Sequence, residues 1–165
     1  MPVYLRARTF AVLPLTLVAV LIAGVFAFTP SASAMTRVDR IGVGLAIARH
    51  QEGDPYVYGA AGPNRFDCSG LVYYSYRHAG FRNIPRTAAD QARRMRRIPR
   101  RHLRRGDFVF FYSGRARARN VYHVGVFAGW HHGHRTMIDA PHTGSRVHRE
   151  RIWSNHWFAG TLRGR

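Results

Sequence analysis

A chain of 165 residues, 46% apolar and 13% aromatic, is long enough for one buried core and too apolar to be disordered throughout. Its formal net charge of +18 rests on 26 basic residues, all of them arginine, which implies polyanionic surroundings. A single cysteine, Cys68, excludes an internal disulfide framework.

The first 34 residues read as a signal peptide. Arg6 and Arg8 give a positive front, residues 10–28 are almost wholly apolar, and Ser31-Ala32-Ser33-Ala34 supplies an Ala-x-Ala cleavage site. The mature domain is then 35–165. A retained membrane anchor is the competing reading, because the apolar run is as long as a short transmembrane helix. Both readings export the domain, to a secreted or cell-wall location, where anionic lipid or wall polymers are the expected polyanions and nucleic acid is not. An arginine surplus also arises from genomic bias and a solvated surface. An exported chain without disulfides leaves its one thiol in need of another role.

From Thr36 the chain takes a capping-box start, with Asp39 in place of the usual Glu, and Ile41, Leu45, Ala46 and Ala48 recur at helical spacing to about His50. Gly53-Asp54-Pro55 breaks that helix. Residues 56–59 form a short extended piece, followed by a Gly- and Pro-rich loop to Asn64. A second helix opens at Cys68 and ends at Ala79-Gly80. Thr87 caps a third, short one, with Asp90 at its third position complementing the dipole. Residues 93–105 read as a basic connection.

After Arg105-Gly106-Asp107 the pattern turns to β. Residues 108–112 form a buried-type strand, 113–120 an arginine-rich loop, and 121–127 a second strand that places Val121, His123, Gly125 and Phe127 on one face. Residues 129–133 read as a turn, 135–140 as a third strand, 146–148 as a fourth and 157–162 as a closing one. Helices first and antiparallel strands after define an α+β domain.

Cys68 falls in the first turn of its helix, where the positive end of the dipole favours thiolate over thiol. Nucleophilic cysteine catalysis also needs a base and a group that orients it. His123, fixed on a strand, is the candidate base. Asp139, on the next strand of an antiparallel hairpin, is the candidate orienter, with His142 as its competitor. Each has a plainer alternative: a buried apolar cysteine, a packing histidine, a turn-capping aspartate.

Tyr56-x-Tyr58-Gly59, Asp67-Cys68-Ser69-Gly70-Leu71-Val72, Pro85-Arg86-Thr87 with Gln91, Arg105-Gly106-Asp107, His123-Val124-Gly125-Val126 and Asp139-Ala140-Pro141 together resemble the NlpC/P60 family of cell-wall peptidases. The resemblance spans about residues 37–162. It implies a papain-like α+β fold and a thiol protease that cleaves peptidoglycan stem peptides, typically between D-glutamate and a diamino acid, with Cys68 as nucleophile, His123 as base and Asp139 as third member. It assigns Tyr56 and Ser69 to substrate binding and the oxyanion, the Tyr56 hydroxyl acting beside the Cys68 backbone N–H. No cofactor is required, and a monomer is expected. Two departures stand out: Asp139 where many relatives have histidine, and Ala60 where a glycine often follows Gly59.

Three other readings compete. His131, His132 and His134, with His142 and His148 near, suggest a metal, although the first three fall in a turn rather than on fixed elements. A non-catalytic wall binder would use the arginines with Trp130, Trp153 and Trp157. Amidase or transpeptidase chemistry on the same fold is the third.

Overall fold

A computed structural model describes residues 34–164. The signal-peptide segment therefore falls, except for Ala34, outside the described residues. From Met35 onward the chain forms one compact unit with its own core.

Among the described residues three α-helices precede the sheet: α1 Arg37–His50, α2 Cys68–His78 and α3 Ala88–Arg94. The capping box on α1 is complete, Thr36 and Asp39 each accepting the other's backbone N–H. Six strands follow, β1 Arg96–Ile98, β2 Phe108–Tyr112, β3 Val121–His131, β4 His134–Asp139, β5 His148–Arg151 and β6 Trp157–Thr161. They form one antiparallel sheet in the order β1-β6-β2-β3-β4-β5. The fold is thus α+β, helices packed on an antiparallel sheet.

The phenylalanine run of β2 is buried on both faces because each face meets a different layer. Phe108 and Phe110 join Ile41, Leu45, Leu71, Val72 and Tyr76 beneath the helices. Val109 and Phe111 join Phe127, Met137 and Trp157 on the far side. That far face carries the site, since β3 and β4 present His123 and Asp139 to it.

Four expectations need correction. The basic connection contains β1, which pairs with β6 through Arg96↔Thr161, and its inward Ile98 is the only apolar residue it has to bury. β3 runs on to His131 past a register shift at Phe127/Gly129, so the turn is only His132-Gly133. Both turn residues have positive φ, 46° and 75°, as a two-residue hairpin loop requires. The fourth strand is His148–Arg151 rather than 146–148. Finally, Val121 does not share a face with His123. The β2–β3 register shifts between Phe111 and Tyr112, Tyr122 bulges outward, and Val121 packs into the helix-side core.

Candidate active site

The start of α2 is held by a dense polar network. Asp67 is the N-cap, its Oδ1 accepting the Gly70 N–H at 2.6 Å, while Oδ2 accepts the Gly59 N–H at 2.9 Å. Arg86 clamps both carboxylate oxygens, at 3.0 and 2.6 Å, and donates to Ala60 O at 3.1 Å. Burial would push the Asp67 carboxyl up, but Arg86, the Gly70 N–H and Ser69 outweigh it and hold it below its ordinary value. Gln91, fully buried, donates to Ser69 O at 2.9 Å and Pro85 O at 2.8 Å, tying α3 to the same turn. Cys68 is therefore presented from a backbone fixed on three sides.

Two clefts, of about 470 and 500 Å³, meet at Tyr56, Cys68 and Tyr122. The first contains His123, and His123 Nε2 bonds Asp139 Oδ2 at 2.7 Å, both side chains buried. In register, Val126 faces Ile138, so Asp139 is diagonal to His123 across the hairpin. His142 lines the same cleft, but its ring bonds its neighbour Thr143 O at 2.9 Å, and the carboxylate of Asp139 takes the His123 ring instead. Tyr56 lines both clefts, and burial, Cys68 and Asp67 together raise its hydroxyl pKa. Ser69 lies largely buried in the wall of the second cleft, its hydroxyl donating to Asp67 Oδ1 at 3.1 Å and accepting from Arg86 at 3.1 Å, so that hydroxyl is engaged in the network.

Burial alone would lower the His123 pKa; the Asp139 hydrogen bond and Cys68 outweigh it and push it from 6.5 up to about 10. The raised value means that the stabilisation is full below about 6.5 and is lost as pH rises through about 10. Wild-type protein is expected to lose several degrees more of thermal midpoint than His123→Gln between about pH 7 and pH 10. Parallel curves for the two proteins would contradict the bonded imidazolium.

Arg86, Glu150 and Tyr122 are site residues to which the sequence assigned no role, and Trp153 was named only as a platform in the wall-binder reading. Arg86 stood inside the Pro85-Arg86-Thr87 motif, which was the one available signal. Trp153 stacks on Phe111 at 4.2 Å and closes the cleft beside His123. The other two tryptophans are each covered by an arginine, Trp130 by Arg135 and Trp157 by Arg100. Among the described residues no three His, Cys, Asp or Glu converge as metal ligands.

Residues 53–165 match the model of the NlpC/P60 family. The chain belongs to the NlpC/P60 family. A relative described as probable endopeptidase Cgl2188, from Corynebacterium glutamicum, is 43% identical over 93 residues, covering 56% of this chain and 39% of that protein. The murein DD-endopeptidase MepH of Escherichia coli is 39% identical over 111 residues, covering 65% of this chain and 38% of MepH. The NlpC/P60 chain thus spans under two fifths of the length of these curated relatives. Among solved structures, the NlpC/P60 domain of the peptidoglycan hydrolase SagA superposes with a TM-score of 0.64 at 28% identity, covering 74% of this chain and 98% of that one.

Proposed function

We propose that the chain is a peptidoglycan endopeptidase acting outside the cytoplasm through a Cys68-His123-Asp139 triad. The observation that carries this reading is the buried 2.7 Å His123–Asp139 bond opening onto the cleft that Cys68 shares. Family membership and relatives described as endopeptidases support the substrate class.

In this mechanism the Cys68 thiolate attacks a stem-peptide carbonyl carbon, and the oxyanion takes hydrogen bonds from the Cys68 backbone N–H and the Tyr56 hydroxyl. Collapse expels the amine, which receives its proton from the His123 imidazolium and leaves a thioester. Water attacks the thioester, His123 takes the water's proton, and the acid departs as the thiolate re-forms. Asp139 keeps the ring in the tautomer and orientation that both transfers need. The bond proposed is that between D-glutamate and the following diamino acid. The leader is proposed to direct export. The arginines are proposed to hold the domain in the anionic wall, and the cavity of about 570 Å³ lined by Arg37, Arg40, Arg82, Arg94, Arg96 and Arg163 supports this.

The test is digestion of purified peptidoglycan by residues 35–165, with and without prior alkylation of the sole thiol, products being read by mass spectrometry. Fragments with a new diamino-acid amino terminus, absent after alkylation, are expected. No fragments, with salt-sensitive pelleting of the protein on the wall, would replace the enzyme by a binder. A different new terminus would relocate the bond.

A further inference from the structure

Asp139 uses only half of its carboxylate on His123. Oδ2 takes the ring at 2.7 Å, whereas Oδ1 is buried without a hydrogen-bond donor among the described residues. Buried acceptors are almost always satisfied, so this oxygen calls for a partner. The next strand brings a second carboxyl toward Asp139. β4 and β5 pair with Met137 opposite Glu150 and Asp139 opposite His148. Glu150 is thus diagonal to Asp139 on the face that carries His123.

Glu150 is also held in place. One of its oxygens accepts Trp153 Nε1–H at 2.9 Å, and that indole is itself stacked on Phe111. The side chain is 26% exposed, in the wall of the Cys68 cleft. A like charge beside a half-buried carboxyl disfavours its charged form. Asp139 is engaged with the His123 ring at 2.7 Å, so a proton shared between the two carboxyls fits Glu150.

We propose that Glu150 is a positioning residue of this site: as a neutral acid it donates its carboxyl proton to Asp139 Oδ1, completing a chain from Glu150 through Asp139 and His123 to Cys68. Its meaning for turnover rests on the peptidase reading; its protonation does not. With both oxygens engaged, Asp139 cannot rotate away from the ring. Loss of the Glu150 proton at higher pH sets two negative charges side by side and loosens the same hold. The other titratable groups around it are His148 on its own strand, Nε2 lying 3.7 Å from Oε2, His123 and Tyr122 on β3, His142 in the loop after β4, and Tyr56 and Cys68 across the cleft. Burial and Asp139 push the Glu150 carboxyl up, and Trp153 and His148 offset this only in part.

The composition makes the proton directly observable. Glu52 and Glu150 are the only glutamates in the chain, so selective carbon-13 labelling of the glutamate carboxyl gives just two resonances from residues 35–165. Glu150→Gln removes one of them and assigns it; Glu52→Gln assigns the same pair if the first variant does not fold. The Glu150 resonance is expected to stand at its protonated position at neutral pH, its carboxyl being pushed up by burial and by Asp139. A resonance already at its ionised position at neutral pH overturns the proposal, whether or not the protein hydrolyses anything.

Turnover supplies the second readout. The Glu150→Gln amide still donates to Oδ1 and is expected to keep kcat within about threefold, whereas Glu150→Ala is expected to lose roughly tenfold or more in kcat with KM within about twofold. Equal loss in both variants, or none in the alanine variant, overturns the positioning role. If wild-type protein itself is inactive, the peptidase reading fails and the titration alone decides where the proton sits.

Discussion

Cys68→Ala is expected to lower kcat/KM for stem-peptide cleavage by at least about 10⁴-fold while leaving the fold intact. No other thiol exists in the chain to substitute for it. The structural cost is small because Cys68 is only partly buried and occupies the first residue of α2, where alanine is a good helix former. The Asp67 cap, the Arg86 clamp and the Gln91 tie all act on backbone or on neighbouring side chains, so none depends on the sulfur. Thermal midpoint is expected to move by no more than a few degrees, and retention on wall material, proposed to rest on arginine, by nothing measurable. Cys68→Ser sharpens the test. A hydroxyl is far too weak an acid to be held as an anion by the His123 cation, so serine is expected to be as inactive as alanine. A serine variant with substantial activity would mean that His123 acts as a neutral base on a neutral nucleophile. His123→Ala is expected to lose a similar factor, and the double variant no more than either single one, because the two groups act as a unit. Undiminished product from Cys68→Ala would remove the triad altogether.

Local punctuation explains what the sequence showed well. α2 and β2 have the predicted bounds because a capping aspartate and a terminal Ala-Gly bracket one, while Gly106-Asp107 and a loop of polar residues bracket the other. The His123–Asp139 pairing was legible for a related reason: a hairpin short enough to be seen as such brings neighbouring strands into contact, and residues on one face meet.

What stayed hidden depends on contacts distant in sequence. β1 is two arginines and an isoleucine, and becomes a strand only because β6, sixty residues later, offers an open edge. The Asp67–Arg86 clamp joins a helix cap to a loop before α3, and neither residue's neighbours announce the other. Glu150 is more hidden still, since its position beside Asp139 follows from the β4–β5 register, and the fourth strand begins later than its pattern suggested. The face exchange at Val121 came from a bulge, which strict alternation cannot foresee.

Gly70→Ala is expected to destabilise the protein by at least about 3 kcal/mol, a large share of the roughly 5–15 kcal/mol that holds a domain folded. A Cβ at this position would lie 2.0 Å from Ala60 O and 3.0 Å from Ala60 C and Ala61 Cα, all backbone atoms. The loop cannot retreat cheaply, because Ala60 O is held by the Asp67 N–H at 2.9 Å and by Arg86 at 3.1 Å. Moving it breaks both bonds and shifts Tyr56 and Gly59 relative to Cys68, so activity is expected to fall further than the unfolded fraction accounts for. Gly42→Ala is the matched control. That glycine is also helical, in α1, but nothing lies within 4 Å of its added Cβ, and the substitution is expected to stabilise by about 0.5–1 kcal/mol through helix propensity. Urea midpoints of the two variants moving in opposite directions would show that close backbone approach, not helix formation, requires glycine in Asp67-Cys68-Ser69-Gly70. Movement in the same direction would mean that the 56–67 loop yields to the new methyl group, and that the seat of Cys68 is set by the Asp67 cap and Arg86 alone.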